Sequence, residues 1–502
     1  MTVDIYETIN NNIYNFPKKL PYITISSKGI SNGLSTIIND GADFGPDTYL
    51  NTTSKNRIGP PYTQTSGIQE AINYSLNQFT NTGLMPTIFL LTGVFVVDDR
   101  TTIWINNNTI SPTGLNIIGA GLSQVNSIIV KKNYLSSPII SFTNTHDSTT
   151  GYGAVQMRFE NFAIQYTGSP SNATSGVTLA NLSIPETGGT NSVFKNLTVI
   201  GPSGYNVQLP NNVCLDLSGH EDALVEGLTI FNVNSAPTVF TSQVTPAFKM
   251  HTPGGNINII RSTFSGMDLE TTMCSVTEST IGASETAATG VIIRPSYGGF
   301  RNIFNFDGCY WNGGNPTLIT IAPMSNGNVD TSGTLVNITN SLLAQLPSGN
   351  GSYMIEPNAN IPVLWDFNNT SIINNDTSYN LYLFNPNITV NNYFKNLYSD
   401  MNKVNGVILP TENITKGLTG GTVIMKFLEY TEYHKKLLII FNNYENNTPT
   451  NQTINFPLPF GSFTGILFNY FPFNIQPNIY GIEISSPNNT TQYSGIIIVE
   501  GY

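Results

Sequence analysis

Carboxylates are scarce in this sequence, so the ones able to work in pairs are quickly found. "LDLSGHEDALVEG" carries Asp216, Glu221, Asp222 and Glu226 around His220, and "SGMDLET" sets Asp268 and Glu270 two positions apart. "NFDGCYWNGG" places Asp307 beside Tyr310 and Trp311. Cleavage of a glycosidic bond needs two carboxyl groups, one protonated and one ionised, about 5–9 Å apart. Asp216, Glu221, Asp222, Asp268 and Glu270 are the candidates for that chemistry. Asp307, Tyr310 and Trp311 are candidate ligand-binding residues, with the rings as a stacking platform for a sugar. The preferred reading of the acids is nevertheless non-catalytic: solvent-facing turns, or acceptors for backbone amides. Arg261, Arg294 and Arg301 have no carboxylate cluster beside them in the sequence, and His220 and His251 read as lone surface histidines. Cys214, Cys274 and Cys309 match no metal-knuckle spacing and read as small buried hydrophobes. No metal and no cofactor are expected.

The elements that must hold these residues are strands. Charged residues make up 10 % of the 502 positions, against roughly 25 % in ordinary soluble proteins. Asn, Thr, Ser and Tyr supply the polarity instead, which suits turns and exposed β faces better than helix surfaces. "TIFLLTGVFVV", "TTIWINNNTI" and "LNIIGAGLSQVNSIIV" alternate apolar and polar residues between Asn/Gly turns. A looser repeat follows in "RFENFAIQ", "VFKNLTVIG", "LVEGLTIFN", "NIIRSTFSG", "GFRNIFNFDG" and "TLVNITNS". Phe159, Phe194, Val225 and Ile260 recur in it at steps of 35, 31 and 35 residues. Recurring strands without helices between them predict stacked coils, each burying its apolar side chains on the coil below. A β-sandwich is the alternative. After about residue 400 the pattern changes to paired strands with Asn/Pro/Gly turns, as in a small antiparallel sandwich.

One stretch is helical. In "SGIQEAINYSLNQF", Ile68, Ala71, Ile72, Leu76 and Phe79 form a single apolar stripe, and Ser66 and Glu70 stand where a helix start is stabilised. A first coil has nothing beneath it, and a helix laid over that end would cover exposed apolar groups and unpaired strand edges.

Gly41-Ala42-Asp43, Ile68-Gln69-Glu70-Ala71, Thr92-Gly93-Val94-Phe95 and Gly119-Ala120-Gly121 together resemble the start of the pectate-lyase-like right-handed parallel β-helix family, viral tailspikes included. The resemblance covers about residues 38–130 and continues only as rhythm beyond. The aspartates that the family usually sets just before the helix are missing from "PYTQTSG". It implies an all-β chain with an N-terminal attachment segment over 1–37, a right-handed parallel β-helix with an N-terminal capping helix over 38–400, and a C-terminal antiparallel β-sandwich over 401–502.

The function expected from this reading is a virion surface spike or fibre, a homotrimer, attaching to a host cell-surface glycan or glycoprotein and joined to other virion proteins through its N-terminal segment. A polysaccharide lyase or glycoside hydrolase is the alternative, and a cellular adhesion protein a third. The net charge of −11 argues against a nucleic-acid partner. No apolar run is long enough for a membrane span. "MTVDIYETINNNIYNF" does not resemble a conventional signal peptide, while N-x-S/T sequons are dense. Asn51, Asn73, Asn107, Asn172, Asn181, Asn196, Asn337, Asn350, Asn368, Asn375, Asn387, Asn413, Asn446, Asn451 and Asn488 are the candidate glycosylation sites. An extracellular, virion-borne protein reconciles the two observations.

Overall fold

A computed structural model describes residues 22–27, 42–46, 63–106, 114–120, 126–143, 156–184, 189–201, 212–231, 246–282, 289–296, 302–311, 317–347, 349–388, 392–397 and 401–409. Strand backbone alone is described at 49–50, 57–58 and in the strands between 412 and 501. The strands up to residue 408 stack in parallel as successive coils. Each full coil lays one strand on each of three faces. Asn302–Asp307, Tyr310–Trp311 and Thr317–Ile321 form one such coil, and Thr334–Thr339 starts the next by pairing in parallel with Asn302–Asp307. The chain is a parallel β-helix.

Alternation along each strand fixes which side chains enter the interior. On the first face, Ile23, Ile88, Ile117, Phe159, Phe194, Val225, Ile259, Val276, Phe306, Ile338 and Phe367 lie in register as one inward column, and all are fully buried. Val225 stands opposite Ile259, not Ile260. The repeat read from the sequence is therefore one residue out at that coil. Such a slip exchanges inside for outside, and Ile260 is the half-buried one. On the second face, Phe95, Ile129, Ile164, Val199, Ile230, Phe264, Ile281, Trp311, Leu343 and Ile372 form the equivalent column.

The ladder begins earlier than expected. Tyr22–Ile25 pairs in parallel with Thr87–Leu90, because Ile23 and Ile25 supply the alternation that an inward-facing strand needs. It also runs past 400, to Val407–Ile408.

The helix spans Ile68–Thr82 and buries Ile68, Ala71, Ile72 and Leu76 in the same core as the first strands. Its start differs from the expected one. Gly67, with φ of 84°, is the N-cap, and no side chain caps it. A Cβ there would stand 2.7 Å from the Gly45 carbonyl oxygen, so glycine answers both the left-handed backbone and the close approach. Ser66 instead donates to the Val96 carbonyl. Thr65 Oγ1 accepts the Gln69 amide. Gln69 then bonds both the amide and the carbonyl of Trp104, at 2.6 and 2.8 Å. Trp104 lies in Ile103–Asn106, the first strand of the third face, so a side-chain amide occupies backbone groups that have no coil below them.

Beyond the ladder lie two antiparallel sheets of five and three strands. Among the described residues no helix is long and apolar enough to cross a membrane.

Candidate functional site

The third face carries the site. Its strands include Leu215–Asp216, the first half of Phe248–Ile260, the first half of Met267–Thr277, and Thr289–Pro295. Leu215, Phe248, Met267 and Val291 align as inward residues. Alternation then forces Asp216, Lys249 and Asp268 outward in one column, and His251, Glu270 and Arg294 outward in the next. Six polar side chains from four successive coils thus share one patch.

Asp268 is its centre. Arg294 Nε donates to Asp268 Oδ1 at 2.7 Å and Arg294 Nη2 to Oδ2 at 3.3 Å, a two-point grip, while Arg294 Nη1 donates to the Pro323 carbonyl at 2.8 Å. His251 lies between the two acids. Its Nε2 is 3.1 Å from Asp268 Oδ1 and its Nδ1 is 3.6 Å from Glu270 Oε2. At Nε2 the separation is short, but the ring N–H is not aimed as in a hydrogen bond, so this contact is mainly electrostatic. The Ser325 amide donates to Glu270 Oε2 at 2.7 Å. Lys249 Nζ meets Asp216 Oδ2 at 3.1 Å, and Ser218 occupies the other Asp216 oxygen through its amide and hydroxyl. Burial by itself would raise the Asp268 pKa. The close contact of His251, the hydrogen bonds of Arg294 and the charges of both outweigh it and hold the carboxyl below its ordinary value. Asp268 keeps some solvent contact, whereas Glu270 is almost fully buried.

No family model matches the chain, and no curated protein matches it. Two solved structures that resemble it are catalytic domains of GH87 alpha-1,3-glucanase variants. One, in complex with tetrasaccharides, has 12 % identity over 68 % of this chain and 67 % of that one, with a TM-score of 0.30. The other, in complex with nigerose, shows 12 % identity, the same coverages and a TM-score of 0.27. The expectation of a virion attachment spike is corrected here. Both of these solved structures are catalytic domains of a glucanase. The arginine judged to lack carboxylate company has it: Arg294 sits on Asp268, two strands from His251 and beside Glu270. Likeness this distant concerns architecture, and the reading of function below rests on the patch itself.

Of the expected carboxylates, Asp216, Asp268 and Glu270 come together. Glu221 and Asp222 lie at the corner that leads to the first face. There Asp222 has φ of 52° and accepts the Asn256 amide, and Glu221 packs against Gly255. The stacking platform does not form as expected. Asp307 and Tyr310 are exposed, and Asp307 accepts bonds from Thr339 and Asn340. Trp311, one residue on, points inward and packs on Phe306 at 5.2 Å. His220 is not a surface residue either but is fully buried. The three cysteines are free and buried, and burial raises their thiols.

Among the sequons, Asn73, Asn172, Asn350, Asn368, Asn375 and Asn387 are exposed. Asn181 is half-buried, as are Asn196 and Asn337, whose amides bond Asn161 and Asn305 on the preceding coils. Only backbone is described for Asn413, and Asn51, Asn107, Asn446, Asn451 and Asn488 lie outside the described residues.

Lys249, His251 and Arg294 are the partners that sequence reading missed. Their signal was the outward parity of positions 249, 251, 268, 270 and 294. It was hidden because the coil here is short: Lys249 faces Asp268 over 19 residues, not the 31–35 of the repeat.

Proposed function

We propose that this protein is a glycoside hydrolase that cleaves an uncharged polysaccharide on the third face of the β-helix, with Asp268 and Glu270 as its carboxyl pair. The observation that carries this reading is their placement two residues apart on one outward strand face, about 6.6 Å between backbone positions by strand geometry, bracketing His251 and braced by Arg294. That spacing suits the carboxyl pairs of glycosidases. Asp268, held as an anion, supplies the ionised carboxylate that faces the oxocarbenium-like transition state. Glu270 supplies the second carboxyl.

Charge supports a neutral substrate over the uronate polymer that a lyase would take. Lys249 and Arg294 are both engaged by carboxylates, at 3.1 and 2.7 Å, and Glu356 adds a further acid on the same column. A polyanion meets repulsion there, and a neutral glycan does not.

The ends of the solenoid complete the reading. The helix Ile68–Thr82 serves as the lid of the first coils, in keeping with its buried face and the Gln69 bonds to Trp104. The two C-terminal antiparallel sheets pack as a sandwich.

The test is release of reducing ends from neutral glucans, α-1,3-linked ones included, with polygalacturonate alongside. Turnover is expected on a neutral glucan, with Asp268→Asn and Glu270→Gln each lowering it on the order of a thousandfold. No release from any neutral glucan, or undiminished release by both variants, would overturn the proposal.

A further inference from the structure

The outward column that contains Asp268 does not stop there. In register it continues through Ile292 and Thr320 to Glu356, three rungs or about 14 Å further along the solenoid. Asn385 follows on the next coil, its Nδ2 donating to Glu356 Oε2 at 2.9 Å. Two tyrosines flank this polar pair. Tyr353 and Tyr382 lie directly opposite each other on adjacent strands, Ser352–Glu356 and Leu381–Phe384. Leu381 and Leu383 point inward and are fully buried, so Tyr382 points out. Both tyrosines are half-exposed. The Tyr353 hydroxyl bonds Glu356, Thr317 and Asn385, which ties its ring to the surface of the face rather than leaving it free to swing.

We infer that Tyr353, Glu356, Tyr382 and Asn385 form an outer sugar-binding subsite of the same groove, receiving the polysaccharide chain several units away from the bond cleaved at Asp268 and Glu270. The chemistry is that of a pyranose ring. Its apolar C–H face packs on an aromatic ring, and its hydroxyls bond a carboxylate and a side-chain amide at the ring's edge. Apolar surface alone would suit a protein partner. The ordered carboxylate–amide pair beside the rings, in line with the carboxyl pair by strand register, favours a linear glycan lying along the solenoid axis. The burial and hydrogen bond to Glu356 that raise the Tyr353 pKa to about 12 keep that hydroxyl protonated at any physiological pH.

This inference rests on the hydrolase reading for its substrate, so its test uses binding as well as turnover. The full chain would be run in native gels containing laminarin, dextran, pullulan or a soluble α-1,3-glucan, and its KM measured on whichever it cleaves. Tyr382→Ala, Tyr382→Leu and Asn385→Ala are expected to weaken retardation and raise KM about tenfold, the equivalent of 1.4 kcal/mol. Tyr134→Ala, exposed just after Ser127–Lys131 near the start of the solenoid, should change neither. Two tyrosine variants guard against a folding defect in either one. Retardation lost in the Tyr382 variants without any hydrolysis would leave the subsite standing and remove the hydrolase reading. Wild-type retardation in all three subsite variants, or equal loss in Tyr134→Ala, would overturn the subsite.

Discussion

His220 shows how a single residue can be set by the interior around it. Its Nε2–H donates to the Leu182 carbonyl at 2.9 Å, its Nδ1 accepts from Ser192 Oγ at 3.0 Å, and the ring stands edge-on to Phe194. Both ring nitrogens of the neutral imidazole are satisfied, and a second ring proton would place a charge in the apolar interior. Burial lowers its pKa to about 4, below the value near 6.5 of an unfolded histidine. As pH falls, the unfolded chain takes up the proton first. The contribution of His220 is therefore fully present above about pH 6.5 and is lost progressively down to about pH 4. The shift corresponds to a loss on the order of 3 kcal/mol. Urea midpoints measured across that window should fall in the native protein, and much less in a His220→Asn variant.

At the scale of the element, the corner between the first and second faces repeats a left-handed residue. Asn161, Asn196, Gly227, Arg261, Glu278, Gly308, Asn340 and Asn369 all occupy it, with φ between 48° and 66°. Asparagine tolerates that conformation and also bonds along the stack. Asn340 Nδ2 donates to Asp307 at 2.8 Å, and Asn340 Oδ1 accepts from Asn369 at 2.9 Å. The Asn in the sequence grammar of the coils was legible for this reason. Arg261 and Glu278 were not, since neither residue type announces a left-handed corner. Replacing Asn340 by Gly removes the bonds but keeps the backbone relaxed. Replacing it by Ala removes the bonds and leaves a Cβ in the left-handed region without the side-chain amide that lets asparagine tolerate it. Asn340→Ala should therefore be less stable than Asn340→Gly by about 1 kcal/mol in urea unfolding, and equal stability would show that the corner relaxes.

Across the whole molecule, stability should be local, because each coil touches only its neighbours. The helix buries Ile72, and the strands it packs on most are Tyr22–Ile25, Thr87–Leu90 and Ile103–Asn106, all from the first coils. Ile72→Asp places a charge in that interface. Amide exchange should then accelerate in Tyr22–Ile25 and Thr87–Leu90 and stay slow in Thr334–Thr339. Uniform acceleration would mean one cooperative block and would count against a lid that acts only on its own end.

The sequence by itself determined that the chain coils in parallel strands around an apolar interior. That information is local: alternation of burial within each strand, and turn residues after it, act over a few neighbours. It also nominated the acids, Asp216, Asp268 and Glu270 among them. Only the tertiary structure decided which outward residues meet. Coil length changes from 35 residues between Phe159 and Phe194 to 17 between Ile257 and Cys274, and loop lengths leave no mark on inward periodicity. Vertical register is set by how whole coils settle on one another, and that settling brings both Arg294 and His251 into contact with Asp268.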